Sequence, residues 1–461
     1  MRQIFRAGLF SIAVLAATTA AGRADEGCCA DLEERLLELE ETAAKKGNRK
    51  VKLEISGHIN QAILFWDDGG ERDAYQLMNS NSSDRIRLFG TATISPDLKA
   101  GYLLEMGLRL DSTGRADQFG DGNADEDLRP RQSAWFVESK TFGALTLGRG
   151  SPATDDIISF NLGGTNVAGS PNLPLLGGNF FTRDTAADTL NTLSSGNTIS
   201  LRWRRFFEQL DTPQSEMIRY DSPLLFGFAA SASWGGDDYW DVALRYARFT
   251  RDYKFAFGIG YFENRNEDSS TLGWPSGGDT EPNAGDTRIK ELKGSVSFLH
   301  EPTGLFASGA YVHRVFDGDD LGTLTFACFS SGDALLIQAF VDCGNRPDFD
   351  YYWVTAGLRR NWFAIGSTSI YGEYAHSKDG VTGLNVAVSS AIGGDIDYVT
   401  KSSLNMWGFG LVQRISPAAM DIYFSYRHLD ADVRGLETTG DIVSAPLDDF
   451  DMFMAGSRIR F

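Results

Sequence analysis

The stretch DRIRLFGTATISPDLKAGYLLEMGLRL, residues 84–110, alternates with a period of two and reverses at Ser95-Pro96-Asp97. Successive side chains of an extended chain point to opposite sides, so Ile86, Leu88, Ala92 and Ile94 share one face and Arg85, Arg87, Thr91 and Thr93 the other. The return run sets Ala100, Tyr102, Leu104, Met106, Leu108 and Leu110 against Lys99, Glu105 and Arg109. Such sustained alternation is the signature of a strand with one apolar and one polar surface.

The scheme recurs. YKFAFGIGYF alternates Tyr253, Phe255, Phe257, Ile259 and Tyr261 with small or charged residues, and MDIYFSYRHL alternates Met420, Ile422, Phe424 and Tyr426 with Asp421, Tyr423, Ser425 and Arg427. Read through, the sequence predicts sixteen strands, near 51–66, 84–95, 98–111, 130–139, 143–149, 215–222, 224–235, 239–249, 253–264, 288–299, 304–316, 350–361, 366–376, 403–415, 419–430 and 450–461. Very short connections, such as Arg251-Asp252 and Ser416-Pro417-Ala418, alternate with long polar ones at 67–83, 111–129, 264–287, 317–349, 377–402 and 431–449.

A soluble β-sandwich also alternates, but its two inner faces meet in a core about 10 Å thick, which gives no reason for this many long strands or for loops elaborated at one end only. A lipid bilayer explains both features, since strands of about 9–11 residues cross it when tilted. Backbone groups in hydrocarbon must pair with one another, so the sheet closes. After the first 24 residues no segment reaches the roughly 18 uninterrupted apolar residues of a spanning helix. The expected fold is therefore all-β, a sixteen-stranded antiparallel transmembrane β-barrel over residues 49–461. The alternating DMFMAGSRIRF, with Phe453, Ala455, Ser457, Ile459 and Phe461 on one face, is the expected closing strand against strand one.

Residues 1–24 read as a signal peptide, with Arg2 and Arg6 before an apolar stretch from Ala7 to Ala21 and small residues Gly22 and Ala24 at the cleavage site. The alternative is an uncleaved anchor, for which the apolar stretch is short. Removing this segment takes away three arginines and no acids, so the formal charge of −19 becomes −22. That excess argues against nucleic acid as a partner and favours cations near the channel mouth, although charges in the narrowest section decide selectivity. Residues 25–48 contain Leu32, Leu36, Leu39 and Ala43 at spacings of four, three and four. They predict a short periplasmic helix, either a trimeric coiled coil or a single helix packed on the barrel rim. In an exported chain, Cys328 and Cys343 are expected to form a disulfide within one loop; the adjacent Cys28 and Cys29 either link neighbouring chains or stay reduced. No cysteine or histidine spacing points to a metal, and no cofactor is expected.

One connection breaks the pattern. Between FGALTLGRG and EMIRYDSPLLFGF the chain spends residues 150–214, whose segments TDDIISFNLGG, NLPLLGGNFF and ISLRWRRFFEQL are too apolar for a disordered tether. This loop must pack against something. FGALTLGR leading into a long third loop, then IRYDSPLLFGF and a terminal Phe, resembles the sixteen-stranded general porins of the outer membrane. The stretch CADLEERLLELEETAAKKGNRK is similar to the alphaproteobacterial branch of that family.

The resemblance implies a homotrimer in outer-membrane lipid and lipopolysaccharide, with one water-filled pore per subunit for small hydrophilic solutes and a third loop folded inward as the constriction. It also implies that Phe461, with Ile459, is the signal read by the barrel-assembly machinery. In this arrangement an acidic loop faces a basic wall. Asp155 and Asp156 are the acidic candidates, followed by Asp184 and Asp188. Arg85, Arg87 and Arg109, on inward faces, and Arg149 and Arg219, flanking the loop, are the basic ones; Arg202, Arg204 and Arg205 line the pore or lie against the wall. Two other functions stay open. A barrel enzyme needs a nucleophile and base, and His58, His300, His313, His376 and His428 have no matching serine motif. A solute-specific sugar or anion channel needs an aromatic slide, for which Trp135, Trp203 and Trp353 are the candidates.

Overall fold

The computed structural model describes residues 51–122, 127–192, 199–207, 210–236, 239–264, 288–317, 347–383, 386–387, 396–437 and 441–461. The expected signal peptide, N-terminal helix and all four cysteines lie outside the described residues.

Sixteen long strands make up the barrel wall. They are β1 (Lys52–Asp67), β2 (Arg85–Thr93), β3 (Leu98–Arg109), β4 (Asp127–Ser139), β5 (Gly143–Gly150), β6 (Ser215–Asp221), β7 (Phe228–Gly235) and β8 (Tyr239–Phe249), followed by β9 (Tyr253–Asn264), β10 (Arg288–His300), β11 (Leu305–Asp317), β12 (Phe349–Phe363), β13 (Gly366–Lys378), β14 (Ile396–Ile415), β15 (Met420–Glu437) and β16 (Phe450–Arg460). Each pairs antiparallel with the next, and β16 returns to β1 in a register running from His58 opposite Arg460 to Asp67 opposite Asp451. No edge is left to the hydrocarbon. Phe461 extends the closure by one step, its N–H and C=O exchanging bonds of 3.1 and 3.0 Å with Gly57. Its ring covers Gly57 on the outer surface, where any Cβ would meet it at 2.7 Å. Ile459, opposite Ile59, also faces outward.

Period-two parity sorts the side chains. On β1, Ile59, Ile63 and Phe65 are exposed to the lipid side while Asn60, Ala62, Leu64 and Trp66 are buried inside. The same division holds on β15, with Ile422 outside and Tyr423, Ser425 and Arg427 inside. At one end the hairpin turns are short. At the other the connections are long, except for residues 236–238 between β7 and β8. A strand at Arg72–Met78 doubles back on β1, and one at Ile442–Ala445 on β15, so parts of these loops continue the sheet above the wall.

One strand starts later than its alternation predicts. β7 begins at Phe228 and not near 224, because a turn closed by Leu225 N–H to Phe228 O at 2.9 Å occupies the intervening residues. Phe226 and Gly227 there take φ of 52° and 93°, a conformation a strand does not contain.

The loop between β5 and β6 lies inside the barrel and makes a core there. Its Ile157, Ile158, Leu176, Phe180, Leu201, Trp203, Phe206 and Phe207 are buried against Leu64, Trp66, Phe306, Tyr351, Trp353, Tyr371, Phe450 and Met452 of the wall. Phe180 sits 5.0 Å from Trp66 and 4.9 Å from Phe450, and Trp203 stacks on Phe450 at 5.7 Å. The apolar content of the loop is spent on this interior contact, which removes it from water. At Gly169 the loop backbone approaches the wall so closely that a Cβ would lie 2.4 Å from the Tyr371 ring.

Candidate functional site

Polar side chains of the wall fix the course of the loop. At its root, Arg219 donates to Ser151 O and Pro152 O at 2.9 and 3.0 Å, and Asp241 accepts from the N–H of Thr154 at 2.7 Å and of Ala153 at 3.2 Å. Arg245 donates to Ala153 O at 2.6 Å and Asp155 O at 3.0 Å. Further along, Ser295 and Ser297 of β10 bond the backbone at Ile157, Phe160 and Leu162, while Arg359 and Ser369 hold Leu162 O and Gly163 O. Arg427 and Tyr351 then hold Ser170 O and Pro171 O at 2.8 and 2.6 Å. Arg427 is paired with Glu373 at 2.8 Å, and Trp353 Nε1 donates to the same carboxylate at 3.0 Å. Near its far end Arg183 bonds Asp68 of the first loop at 3.0 and 3.2 Å. Burial pushes Asp68 up, but hydrogen bonds from Arg183 and Gln118 outweigh it and hold the carboxyl below its ordinary range.

Every anchor just named belongs to β6–β8, β10, β12, β13, β15 or the first loop. The wall of β2–β4 carries a different arrangement. Glu105, fully buried, takes Arg131 Nε at 2.8 Å, Arg87 Nε at 2.8 Å and Arg85 at 3.3 Å. The three guanidinium groups remain partly exposed, at 17–29%. One carboxylate thus orients three permanent cations. The motif recurs inside the barrel at Asp421, contacted by Arg458 at 2.7 Å, Arg460 at 3.1 Å and Arg414 at 3.9 Å, and at Glu291, paired with Lys293 and Arg314.

Facing the first of these groups is an acidic cluster on the loop. The carboxylates of Asp155, Asp156 and Asp211 all lie within 4.8 Å of one another. Asp156 opens to the lumen but is hemmed in by wall and loop. That enclosure, and after it the Asp155 charge, pushes its carboxyl up to about 7 against the pull of Arg85, Arg245 and Arg131. Burial, then Asp155 and Asp156, raises Asp211 well above the ordinary carboxylate range. Like charges this close do not all ionise at neutral pH.

The structure thus brings Arg85 and Arg87 together with the acidic residues that follow the loop root. Arg109 lies in β3, but its side chain is outside the described residues. Arg149 departs from the expected pore wall. It shares the outward parity of Leu145 and Leu147 and pairs in register with Glu216, because strand phase, not nearness to the loop, sets its direction. Arg219 departs too: it is buried, bound to Asp221 at 2.7 Å, and its remaining N–H groups clamp the loop root. Asp184 is buried and accepts from Ala186 and Ala187 N–H, and Asp188 pairs with Arg183 at 3.3 Å. Arg202 packs over Phe181 at 3.7 Å and pairs with Asp117 of the connection between β3 and β4, so it ties the two loops together. The aromatic slide is not formed by its three candidates: Trp135 faces outward, Trp203 of the loop is buried against the wall, and Trp353 of the wall is buried under the loop. Arg131 was missed by the reading of strands, because a β-bulge opposite Glu105 brings it to the inner face.

A closed transmembrane barrel with a loop folded into its lumen and opposed charges there defines a channel. A family model for Gram-negative porins matches residues 11–434, and the chain belongs to that family. Among solved structures, an anion-selective porin from Comamonas acidovorans is similar with a TM-score of 0.51 at 14% identity, covering 89% of this chain and 100% of its own. A loop L8 deletion mutant of OmpT, an outer membrane protein of Vibrio cholerae, gives 0.50 at 13%, with the same coverage. At such identities the likeness is one of fold. No curated protein matches the chain. The protein is an outer-membrane porin, a channel for passive diffusion, and its family and fold are those of a channel rather than of an enzyme.

Proposed function

We propose that the chain works as a trimer of water-filled pores for small hydrophilic solutes, and that its constriction prefers anions. The observation that carries the preference is the imbalance across the lumen. Three guanidinium groups stand around one buried Glu105, whereas the facing Asp155, Asp156 and Asp211 crowd one another, and burial with the neighbouring charges favours the protonated forms of Asp156 and Asp211. Inside a narrow lumen charges are screened less than at the mouth, so this imbalance outweighs the acidic exterior. The anion selectivity named for the Comamonas protein agrees with this reading.

Reversal potentials in a salt gradient across planar bilayers test it; a potential of the sign for cation selectivity at neutral pH overturns it. The trimer, the Cys328–Cys343 bridge, placement in the alphaproteobacterial branch, contact with lipopolysaccharide and recognition of Phe461 and Ile459 by the assembly machinery belong to the same proposal. They are supported by the sequence features and the family.

A further inference from the structure

The arginines around Asp421 stand well away from the constriction. Arg414, Asp421 and Arg458 lie directly opposite one another on β14, β15 and β16 and so form one rung across three strands. Arg460 follows two residues after Arg458, on the same face. The rung is at the rim of the barrel: Arg414 is next to the last residue of β14, Asp421 next to the first of β15, and Arg460 ends β16. These strand ends carry the short turns, which mark the periplasmic side of such a barrel. Glu105, by contrast, lies seven residues beyond Leu98, the first residue of β3. At about 3.3 Å per residue and a tilt near 45°, the rung is roughly 14 Å below the constriction group.

Asp421 is buried and orients the cations that enclose it, while their guanidinium groups stay open to the lumen, Arg414 at 46%, Arg460 at 31% and Arg458 at 20%. Arg458 is held from a second side as well, donating to Ser82 Oγ at 2.9 Å. Arg359 of β12 lies within the field of Arg414 and adds a further positive charge, with one N–H spent on Leu162 O at 2.9 Å. Lys52 and Glu54, on the inner face of β1 at the same end, pair with each other at 2.7 Å and cancel.

The two cationic groups adjoin. Arg460 faces His58 of β1 across the barrel closure, and His58 faces Arg85 of β2, which belongs to the group around Glu105. Three neighbouring strands span only about 10 Å of wall. His58 and Arg458 also share Ser82, whose Oγ lies 3.0 Å from the imidazole Nε2 and 2.9 Å from the guanidinium. Asp84, beside this junction, is buried and accepts from Asn60 N–H at 2.6 Å and from Gln61 at 2.9 Å, so it is turned away from the solute path. A cationic surface thus continues from the constriction to the periplasmic mouth.

The chemistry of the rung selects among anions. One carboxylate against three guanidinium groups leaves two positive charges uncompensated. Each guanidinium presents its N–H donors in a planar fork, and these forks come from strands on either side of Asp421. Their complement is a compact group with about two negative charges and acceptor oxygens pointing in several directions. A halide has one charge and no directed acceptors. A phosphate group past its second ionisation has close to two charges and three acceptor oxygens. The partial exposure of the arginines keeps each contact weak, so a solute held here is also released.

We propose that Arg414, Arg458 and Arg460 form a phosphate-binding subsite at the periplasmic mouth, which receives phosphate groups, free or on a small solute, as they leave the constriction. This rests on the anion preference proposed above for the constriction. The test records chloride current through the full-length channel in planar bilayers at pH 8 while inorganic phosphate, glucose 6-phosphate or glucose is added at constant chloride. Both phosphates should block the current at similar concentrations, and glucose should not. In Arg458→Gln with Arg460→Gln the half-blocking concentration should rise roughly three- to tenfold, the range of two partly exposed ion pairs. The reversal potential in a chloride gradient should keep its anion-selective sign, since Arg85, Arg87 and Arg131 are untouched. Should the double variant fail to fold, Arg414→Gln alters only the longest contact to Asp421 and should raise the half-blocking concentration by itself. Absence of block in an anion-selective wild type, block by glucose, or block unchanged in these variants overturns the subsite alone. A cation-selective wild type overturns the constriction reading on which it rests, and the subsite with it.

Discussion

Two parts of the inner wall use the same chemistry to opposite ends. Under the loop, Glu373 and Arg427 form a one-to-one pair, both at most 1% exposed, completed by Trp353 and by the carbonyl of Ser170. On the open side Glu105 is equally buried, but three arginines share it and reach into the lumen. A neutral, covered pair acts as an attachment point. An unbalanced, uncovered group acts as an electrostatic surface. The difference is made by where the loop lies, since both sets of residues sit on strands of the same barrel and point the same way.

The largest effect should come from breaking the covered pair. Glu373→Ala leaves Arg427 buried without its partner, a loss of about 3–5 kcal/mol. The variant should lose the compact, heat-resistant form at lower temperature and show larger, noisier single-channel conductance as the loop leaves the wall. Glu373→Leu combined with Arg427→Met should cost less than the single change, because no charge is then stranded. A double variant as unstable as the single one would show that the pair does more than neutralise itself.

On the open wall the expectation is reversed. Replacing Arg87 and Arg131 by Gln should shift the reversal potential strongly toward cations yet cost less stability than Glu373→Ala, since Arg85 and the Gln amides still donate to the buried Glu105 carboxylate. Equal losses of stability on the two walls would erase the contrast drawn above.

A third, smaller effect concerns pH. The Asp156 carboxyl sits up to about 7, so raising pH through that value adds negative charge beside Arg85 and should move selectivity toward cations. Linkage has the matching sign. A carboxyl whose folded value lies above its unfolded one near 3.8 favours the docked loop at low pH, and that support is lost as pH rises toward 7. Asp68 behaves the opposite way: its lowered value keeps the latch to Arg183 intact above the ordinary carboxylate range and releases it only below. Conductance that titrates near neutrality in the wild type but not in Asp156→Asn would support the assignment, and a flat wild-type profile would remove it.

The smallest effect on the finished channel should come from deleting Phe461. This removes the two bonds to Gly57 and a ring on the outer surface while leaving the β1–β16 register in place. The yield of folded barrel should fall while conductance stays as in wild type, as measured by heat-modifiable mobility and bilayer recording.

Much of this was legible from alternation. The two faces of β3 follow from LKAGYLLEMGLRL, and the interior packing of residues 150–214 from the apolar content of that loop. What misled was proximity in sequence. Arg149 and Arg219 flank the loop, yet strand phase turns the first outward, and the second is consumed in holding the loop root. Arg131 was hidden by a bulge, which shifts phase by one residue without any mark in the apolar pattern.

By itself the sequence determined that this chain closes into a barrel with a lipid face and a water face. Both follow from a period of two, which each strand carries locally. Only the tertiary structure decided which water-facing residues become core and which remain channel wall. Tyr423, for example, donates to Asn60 across 363 residues of chain, and Ser369 meets the loop at Gly163 across 206. Contacts of that separation exist only once the barrel has closed and the loop has docked, so no local pattern encodes them.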